Sequence, residues 1–468
     1  MLFNSFGFAV FFLTVLGVNG LLAEKRTARI AFLVAASYFF YMSWNWKFAG
    51  LIAFSTILDY CVGGMIFRQT RPGRRKIYLT VSLVGNLGLL WFFKYYNFFI
   101  ESAHELLMAI GFGVQPALLE IILPVGISFY TFQTLSYTID IYRGELEPAE
   151  SFLDFALFVA FFPQLVAGPI VRARDFLPQL KNFHAPSDNE KLYGVTLILT
   201  GLFKKVCIAD ALAASLVDPV FGNPELFSAP TLLIAVYGYA IQIYCDFSGY
   251  SDVAIGSAAI LGFRLPENFR RPYLSATISE FWRRWHITLS SWMRDYLYIP
   301  LGGNRKGAGR TYVNLLTTML LCGLWHGAAS KFVLWGGYHG LLLAAERCVG
   351  VTHPAPRARF KRWLYIAVTF HLVCFGWIIF RAPDTAAAFT YVERIATWAD
   401  GVSGYSHQFG VALFIGFLFH FTPALWLEKG RIGFTQLSYP LQGFAIASLV
   451  FWMSIMGLDS SPFIYFQF

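Results

Sequence analysis

Between Phe281 and Tyr296 the chain reads Phe-Trp-Arg-Arg-Trp-His-Ile-Thr-Leu-Ser-Ser-Trp-Met-Arg-Asp-Tyr. If this run is one helix, 100° per residue puts Trp282, His286 and Ser290 on a single face, spaced i, i+4, i+8. Arg283, Arg284 and Arg294 then lie on other faces. A histidine on such a face can take or give a proton near neutral pH. The same run also reads as an interfacial helix whose Arg and Trp side chains anchor lipid headgroups. A second candidate is Leu324-Trp325-His326-Gly327-Ala328, which closes the apolar stretch from Val313 to Leu324. There His326 can stay neutral and accept a proton from a hydroxyl, and Gly327 lets a substrate or a backbone come close. A histidine in a span can equally be a satisfied core group, and His339, His371 and His420 are read that way.

Two further segments carry charge at places where charge is costly. In Tyr244-Cys245-Asp246-Phe247-Ser248-Gly249-Tyr250-Ser251-Asp252, Asp246 and Asp252 flank a glycine where an apolar run ends. They can line a polar tunnel or tie helices together. The loop from Pro300 to Arg310 places Arg305, Lys306 and Arg310 among four glycines. It lacks the GxxxxGK[ST] order of a phosphate loop. Its cations can meet the phosphates of an acyl donor, or simply mark a cytoplasmic loop. No GxSxG elbow, HExxH helix or GxGxxG fingerprint occurs, which removes the usual soluble hydrolase, zinc protease and dinucleotide-binding readings.

The elements that must position these residues are membrane helices. Of 468 residues, 57% are hydrophobic and 13% charged, and the mean hydropathy is +0.55. A soluble chain cannot bury that much apolar surface in one core, whereas a lipid bilayer can cover it. Apolar runs of spanning length fall at about 5–23, 28–46, 47–67, 77–99, 118–139, 192–216, 229–247, 311–330, 332–348, 363–381, 408–427 and 440–458. Regions 151–180 and 250–300 are too broken for simple spans and read as re-entrant or interfacial helices. The expectation is an all-α polytopic membrane protein with eleven to thirteen membrane helices, forming a single domain over residues 1–468 with a catalytic core at about 151–349.

The net charge of +9 comes from short basic clusters between apolar runs, as the positive-inside rule expects, and not from a nucleic-acid-binding tail. Lys25, Arg26 and Arg29, then Arg68, Arg71, Arg74, Arg75 and Lys76, then Arg357, Arg359, Lys361 and Arg362 should face the cytoplasm. That pattern puts both termini outside. The opening residues run straight into an apolar stretch without a basic leader, which reads as a retained first span. The six cysteines form no CxxC pair, so neither a metal site nor a disulfide framework is expected. They read as small buried apolar residues.

Taken together, the motifs resemble the membrane-bound O-acyltransferase (MBOAT) family, and within it the bacterial export branch that serves alginate O-acetylation and teichoic-acid D-alanylation. The matching pieces are Phe161 to Ile170, Tyr244 to Asp252, Asn268-Phe269-Arg270-Arg271-Pro272, Phe281 to Tyr296, Pro300 to Arg305 and Trp325-His326-Gly327, in that order along the chain. The run from Phe281 to Arg305 is the most specific.

The resemblance implies a ring of tilted helices around a tunnel. It also implies transfer of an acyl group, acetyl from acetyl-CoA, from a cytoplasmic thioester toward a hydroxyl of a surface polysaccharide. By that resemblance His326 is the base and His286 binds or orients the thioester carbonyl, or shares the base role. Arg283, Arg284, Arg305, Trp282, Ser290, Asp246 and Asp252 would hold the donor or shape the tunnel.

The ending Ser461-Pro462-Phe463-Ile464-Tyr465-Phe466-Gln467-Phe468 resembles an aromatic motif of bacterial acyl-export systems. It implies Tyr465 as a transient acyl acceptor that hands the group to a periplasmic or extracellular esterase-like partner. Taken as a sequence alone, the same ending is an aromatic interfacial anchor. D-alanyl transfer to teichoic acid is the alternative within the class, and a membrane transporter is the alternative outside it. Against a transporter, no inverted repeat is visible. No nucleic-acid partner is expected. The implied location is the bacterial inner membrane.

Overall fold

A computed structural model describes residues 1, 3–113, 115–350, 359–456 and 463–464. The described residues are helical, with one isolated bridge between Phe227 and Val402 in place of any sheet. The helices are α1 (Phe6–Leu21), α2 (Arg26–Asn45), α3 (Ala49–Arg68), α4 (Pro72–Leu90), α5 (Tyr96–Ala109), α6 (Ile127–Arg143), α7 (Phe152–Ala160), α8 (Phe162–Leu165), α9 (Ala173–Lys181), α10 (Asp188–Phe203), α11 (Asp218–Gly222) and α12 (Ala229–Ile260). They continue with α13 (Ile278–Arg284), α14 (Ile287–Met293), α15 (Ala308–His326), α16 (Ser330–Cys348), α17 (Arg359–Arg381), α18 (Thr385–Ala396), α19 (His407–Phe421), α20 (Ala424–Thr435) and α21 (Tyr439–Met456). Segments 26–68, 72–109, 229–260 and 360–381 are long and apolar enough to cross a bilayer, and α1, α19 and 439–451 are shorter apolar helices. The fold is that of an all-α polytopic membrane protein.

Two compact units divide the chain. One comprises 1–194 with 257–266, the other 195–256 with 267–468. In the first, α3, α4 and α6 pack through a buried polar network. The Asp59 carboxylate accepts from Ser82 Oγ at 2.6 Å and from Asn86 Nδ2 at 2.8 Å, and Thr138 Oγ1 lies 3.0 Å from Ser82 Oγ. A carboxylate at this depth survives because each oxygen meets a donor. Arg26 Nη2 reaches both carboxylate oxygens of Asp154 on α7, at 2.9 and 3.0 Å. Ser187 and Glu190 form a reciprocal cap at the start of α10, with Ser187 N–H donating to Glu190 Oε2 at 2.9 Å and Glu190 N–H donating to Ser187 Oγ at 3.3 Å. Arg264, with Ser187 and His184, holds the exposed Glu190 carboxyl down to about 2.

Several elements depart from the sequence expectation. The run expected to span at 118–139 has no regular secondary structure before Gly126, where Pro124 removes a backbone donor, and its helix begins at Ile127 and runs to Arg143. The helix expected at 229–247 continues to Ile260, which at 32 residues is about 48 Å long. The run at 408–427 breaks ahead of Pro423. Region 151–180 is broken as anticipated, into α7, α8 and α9 around Pro163 and the Gly168–Pro169 pair. All six cysteines are free, but Cys61 and Cys348 are exposed and not buried. A lipid-facing helix surface accepts a small apolar side chain as readily as a core does.

In the second unit α15 and α16 form the tightest helix pair. A Cβ on Gly323 would collide with the Phe332 carbonyl oxygen, and one on Gly336 with the Met319 carbonyl oxygen. Small residues let the two backbones touch, and this fixes His326 at the end of α15. Gly336→Val should therefore force the pair apart. The expected cost is about 1–3 kcal/mol, read as a lower Tm of the detergent-purified protein together with reduced activity. An unchanged Tm would show that the contact is not tight.

Candidate active site

The site lies in the second unit and begins with a break. The run from Phe281 to Tyr296 is not one helix. It is α13, then Trp285 in extended conformation, then His286 with φ 43° and ψ 54°, then α14. The expected common face of Trp282, His286 and Ser290 therefore does not exist. Ser290 Oγ instead donates to the Trp285 carbonyl at 3.1 Å. A left-handed conformation at a residue other than glycine costs roughly 1–2 kcal/mol, and such strain is kept where surrounding contacts over-determine it.

Those contacts come from residues 268–271. Arg270 N–H donates to the Arg284 carbonyl at 2.8 Å, and Ile287 N–H donates to the Asn268 carbonyl at 2.9 Å. Arg271 is itself left-handed, with φ 47°.

Asn268 also fixes the imidazole. His286 Nδ1 lies 3.1 Å from Asn268 Oδ1, which accepts from Thr288 Oγ1 at 2.9 Å as well. With the amide oxygen as acceptor, the His286 proton sits on Nδ1 and Nε2 carries the lone pair. In that tautomer Nε2 is an acceptor and not a donor. Helical periodicity does not mark Asn268 for this contact, although it opens the Asn268-Phe269-Arg270-Arg271-Pro272 motif.

His286 and His326 are both buried, at 0% and 3% exposure. Trp325 packs edge-on against both rings, with centroids 5.8 Å from His286 and 5.1 Å from His326. Trp335 lies 5.1 Å from His326, and Trp282 lies 5.7 Å from Trp335. His339 closes the cluster against Trp335 and Trp282, at 4.8 and 5.2 Å. The two site histidines are thus brought into one aromatic cluster from α15 and from the α13–α14 break. Among the described residues the Trp282 indole N–H has no hydrogen-bond acceptor. It is a buried donor beside the cluster. Gly327 is small because the Phe332 ring occupies the space a Cβ would take, so the close approach is to a side chain of the protein.

The cationic residues divide. Arg284 is tied to Glu280 Oε1 through both Nε and Nη2, at 3.0 and 2.7 Å. Arg283 and Arg305 are exposed. Arg284 therefore supports α13, while Arg283 and Arg305 keep their guanidinium groups at the surface.

Asp246 and Asp252 are ion-paired. Lys204 Nζ lies 2.6 Å from Asp252 Oδ2, and Lys205 Nζ lies 2.6 Å from Asp246 Oδ1 and 2.8 Å from Asp210 Oδ1. Both lysines sit where the helix after α10 widens to i→i+5 hydrogen bonding, over Lys204–Asp210. Gly201 and Gly249 touch backbone to backbone and bring the pairs into reach. Two adjacent lysines inside an apolar run are a sequence signal of buried acidic partners. His420 Nε2 accepts from the Tyr273 N–H at 3.3 Å, and His371 Nε2 lies 3.0 Å from the Tyr237 hydroxyl.

Tyr465 lies outside the described residues, but the two residues before it are described and buried. Phe463 stacks on Tyr250 at 4.5 Å and lies 5.7 Å from Phe247, whose ring packs on His286 at 4.7 Å.

The profile of the membrane-bound O-acyltransferase family matches residues 148–382, which contain both histidines and the α13–α14 break. A probable alginate O-acetylase of Pseudomonas aeruginosa is 45% identical over 85% of this chain and 76% of its own length. The chain is a membrane-bound O-acyltransferase. It is also similar to a peptidoglycan O-acetyltransferase of Helicobacter pylori, with 37% identity over 80% of this chain and 74% of that protein. A teichoic acid D-alanyltransferase of Bacillus subtilis is 31% identical over 55% of this chain and 68% of that protein. For an O-acyltransferase of this family the arrangement has a direct chemical use. Two buried imidazoles and an indole donor share one aromatic cluster, where burial lowers the local dielectric in which charges interact.

Proposed function

We propose that this membrane O-acyltransferase moves an acetyl group from cytoplasmic acetyl-CoA toward hydroxyls of a cell-surface polysaccharide. The observation that carries the substrate class is the 45% identity to a probable alginate O-acetylase across 85% of the chain. The similarity to a peptidoglycan O-acetyltransferase supports the same class, since both relatives are named for modifying a glycan. Residence in a bacterial inner membrane with both termini outside belongs to the same reading, as does a periplasmic esterase-like partner that makes the final transfer.

The chemistry follows from the site. A hydroxyl oxygen attacks the thioester carbonyl while His326 takes its proton. The carbonyl oxygen becomes an oxyanion, and the Trp282 N–H is a donor suited to it. The tetrahedral intermediate then collapses, the C–S bond breaks, and the imidazolium returns the proton to the leaving thiolate. His286, with its proton held on Nδ1 by Asn268, serves better as a second acceptor for the hydroxyl proton than as the oxyanion donor. Exposed Arg283 and Arg305 suit the phosphates of the coenzyme.

The hydroxyl of the first transfer is assigned to Tyr465. Tyr465→Phe should abolish ester on the surface polysaccharide while leaving membrane protein level unchanged. Full polymer acylation in that variant would refute the Tyr465 step. Product analysis of the same cells distinguishes acetyl from D-alanyl esters.

A further inference from the structure

The Asp246 carboxylate does two things at once. Its Oδ1 is held by Lys205, and its Oδ2 accepts the backbone N–H of Ile464 at 2.9 Å, across 218 residues of chain. Asp246, Ile464 and Phe463 are each at most 4% exposed. The neighbouring Phe463 fills a notch made by Tyr250 and Phe247, on the same helix as Asp246. Phe247 in turn is the ring that packs on His286.

A buried ion pair that served only to join α12 to Lys205 would have no reason to spare an oxygen for a distant peptide group. An N–H bonded to a charged carboxylate is among the stronger hydrogen bonds a backbone makes. We propose that Asp246, oriented by Lys205, is the dock for the C-terminal segment. The peptide of Ile464 is clamped on the carboxylate, and Phe463 is wedged between Tyr250 and Phe247. Asp246 is then a positioning residue and not a donor-binding one. It holds the segment at the residue next to Tyr465, one aromatic ring away from His286. The functional weight of the dock rests on the reading that Tyr465 accepts the acyl group, whereas the dock itself is a matter of contacts.

The test uses the full-length protein in lipid nanodiscs and two readouts. Carboxypeptidase A removes aromatic and aliphatic residues from a free chain end, so release of Ile464 and Phe463 measures undocking. Mass spectrometry after incubation with acetyl-CoA measures acetyl on Tyr465. Asp246→Ala and Phe463→Ala should each speed release of Ile464 by about tenfold or more without lowering Tm to match. Both should reduce acetyl on Tyr465 in proportion. Asp246→Asn, which keeps a carbonyl oxygen for the Ile464 N–H, should fall between Asp246→Ala and wild type. Unchanged release in Asp246→Ala and Phe463→Ala would overturn the dock. If Asp246→Ala fails to fold, Phe463→Ala decides alone. If undocking occurs as expected but wild type never carries acetyl on Tyr465, the dock stands and the acceptor reading falls.

Discussion

His326→Ala should reduce acyl transfer by about 10²–10⁴-fold, the range for loss of a positioned proton-transfer group. That corresponds to roughly 3–5 kcal/mol of transition-state stabilisation. The assay is release of coenzyme thiol from acetyl-CoA by reconstituted protein, with binding of the donor followed separately. His326 ends α15 and packs on Trp325 and Trp335 with 3% exposure. The alanine variant would leave a cavity among rings that α15 and α16 hold in place. Donor binding should therefore survive while turnover falls. His326→Gln, which keeps most of the volume but cannot shuttle a proton, should be as slow as the alanine variant. A Gln variant with near wild-type turnover would reassign His326 to packing, and His286 would then stand as the sole base.

The second large effect concerns stability. Lys205 is the cation shared by Asp210 and Asp246 in a buried setting. Removing one partner of a buried ion pair leaves an uncompensated charge, at a cost of about 3–5 kcal/mol. Lys205→Ala should therefore accumulate poorly in the membrane and lose its cooperative melting transition. The double variant Lys205→Ala with Asp246→Asn removes one of the stranded carboxylates and should recover part of the yield. Equal yields for wild type and Lys205→Ala would mean that water reaches these carboxylates. Transfer in the double variant should stay below wild type, because the Ile464 N–H then keeps only an uncharged acceptor.

Much of this was legible in the residues. The Phe281–Arg305 run and the Trp325-His326-Gly327 motif pointed to the family and to both histidines, because the chemistry needs those side chain types. Pro163, Gly168 and Pro169 announced the broken backbone of α7 to α9. Other features were hidden because they depend on long-range contacts. The left-handed turn at His286 is imposed by residues 268–271, and no helical period encodes it. The common face of Trp282, His286 and Ser290 failed for that reason. Asp246 and Asp252 stand out in the sequence as costly charges, but their partners Lys205 and Lys204 lie more than 40 residues earlier, inside a run that reads as a plain span. The docking of Ile464 on Asp246 joins the last residues described to the middle of the chain. Hydropathy sees only an aromatic ending there.

The most direct test is the ester-linked acyl content of surface polysaccharide in cells lacking this gene and then supplied with wild-type or His326→Ala protein at matched membrane levels. The account predicts that esters disappear on deletion, return with wild type and stay absent with His326→Ala. Ester content that is unaffected by deletion, or fully restored by His326→Ala, would contradict it.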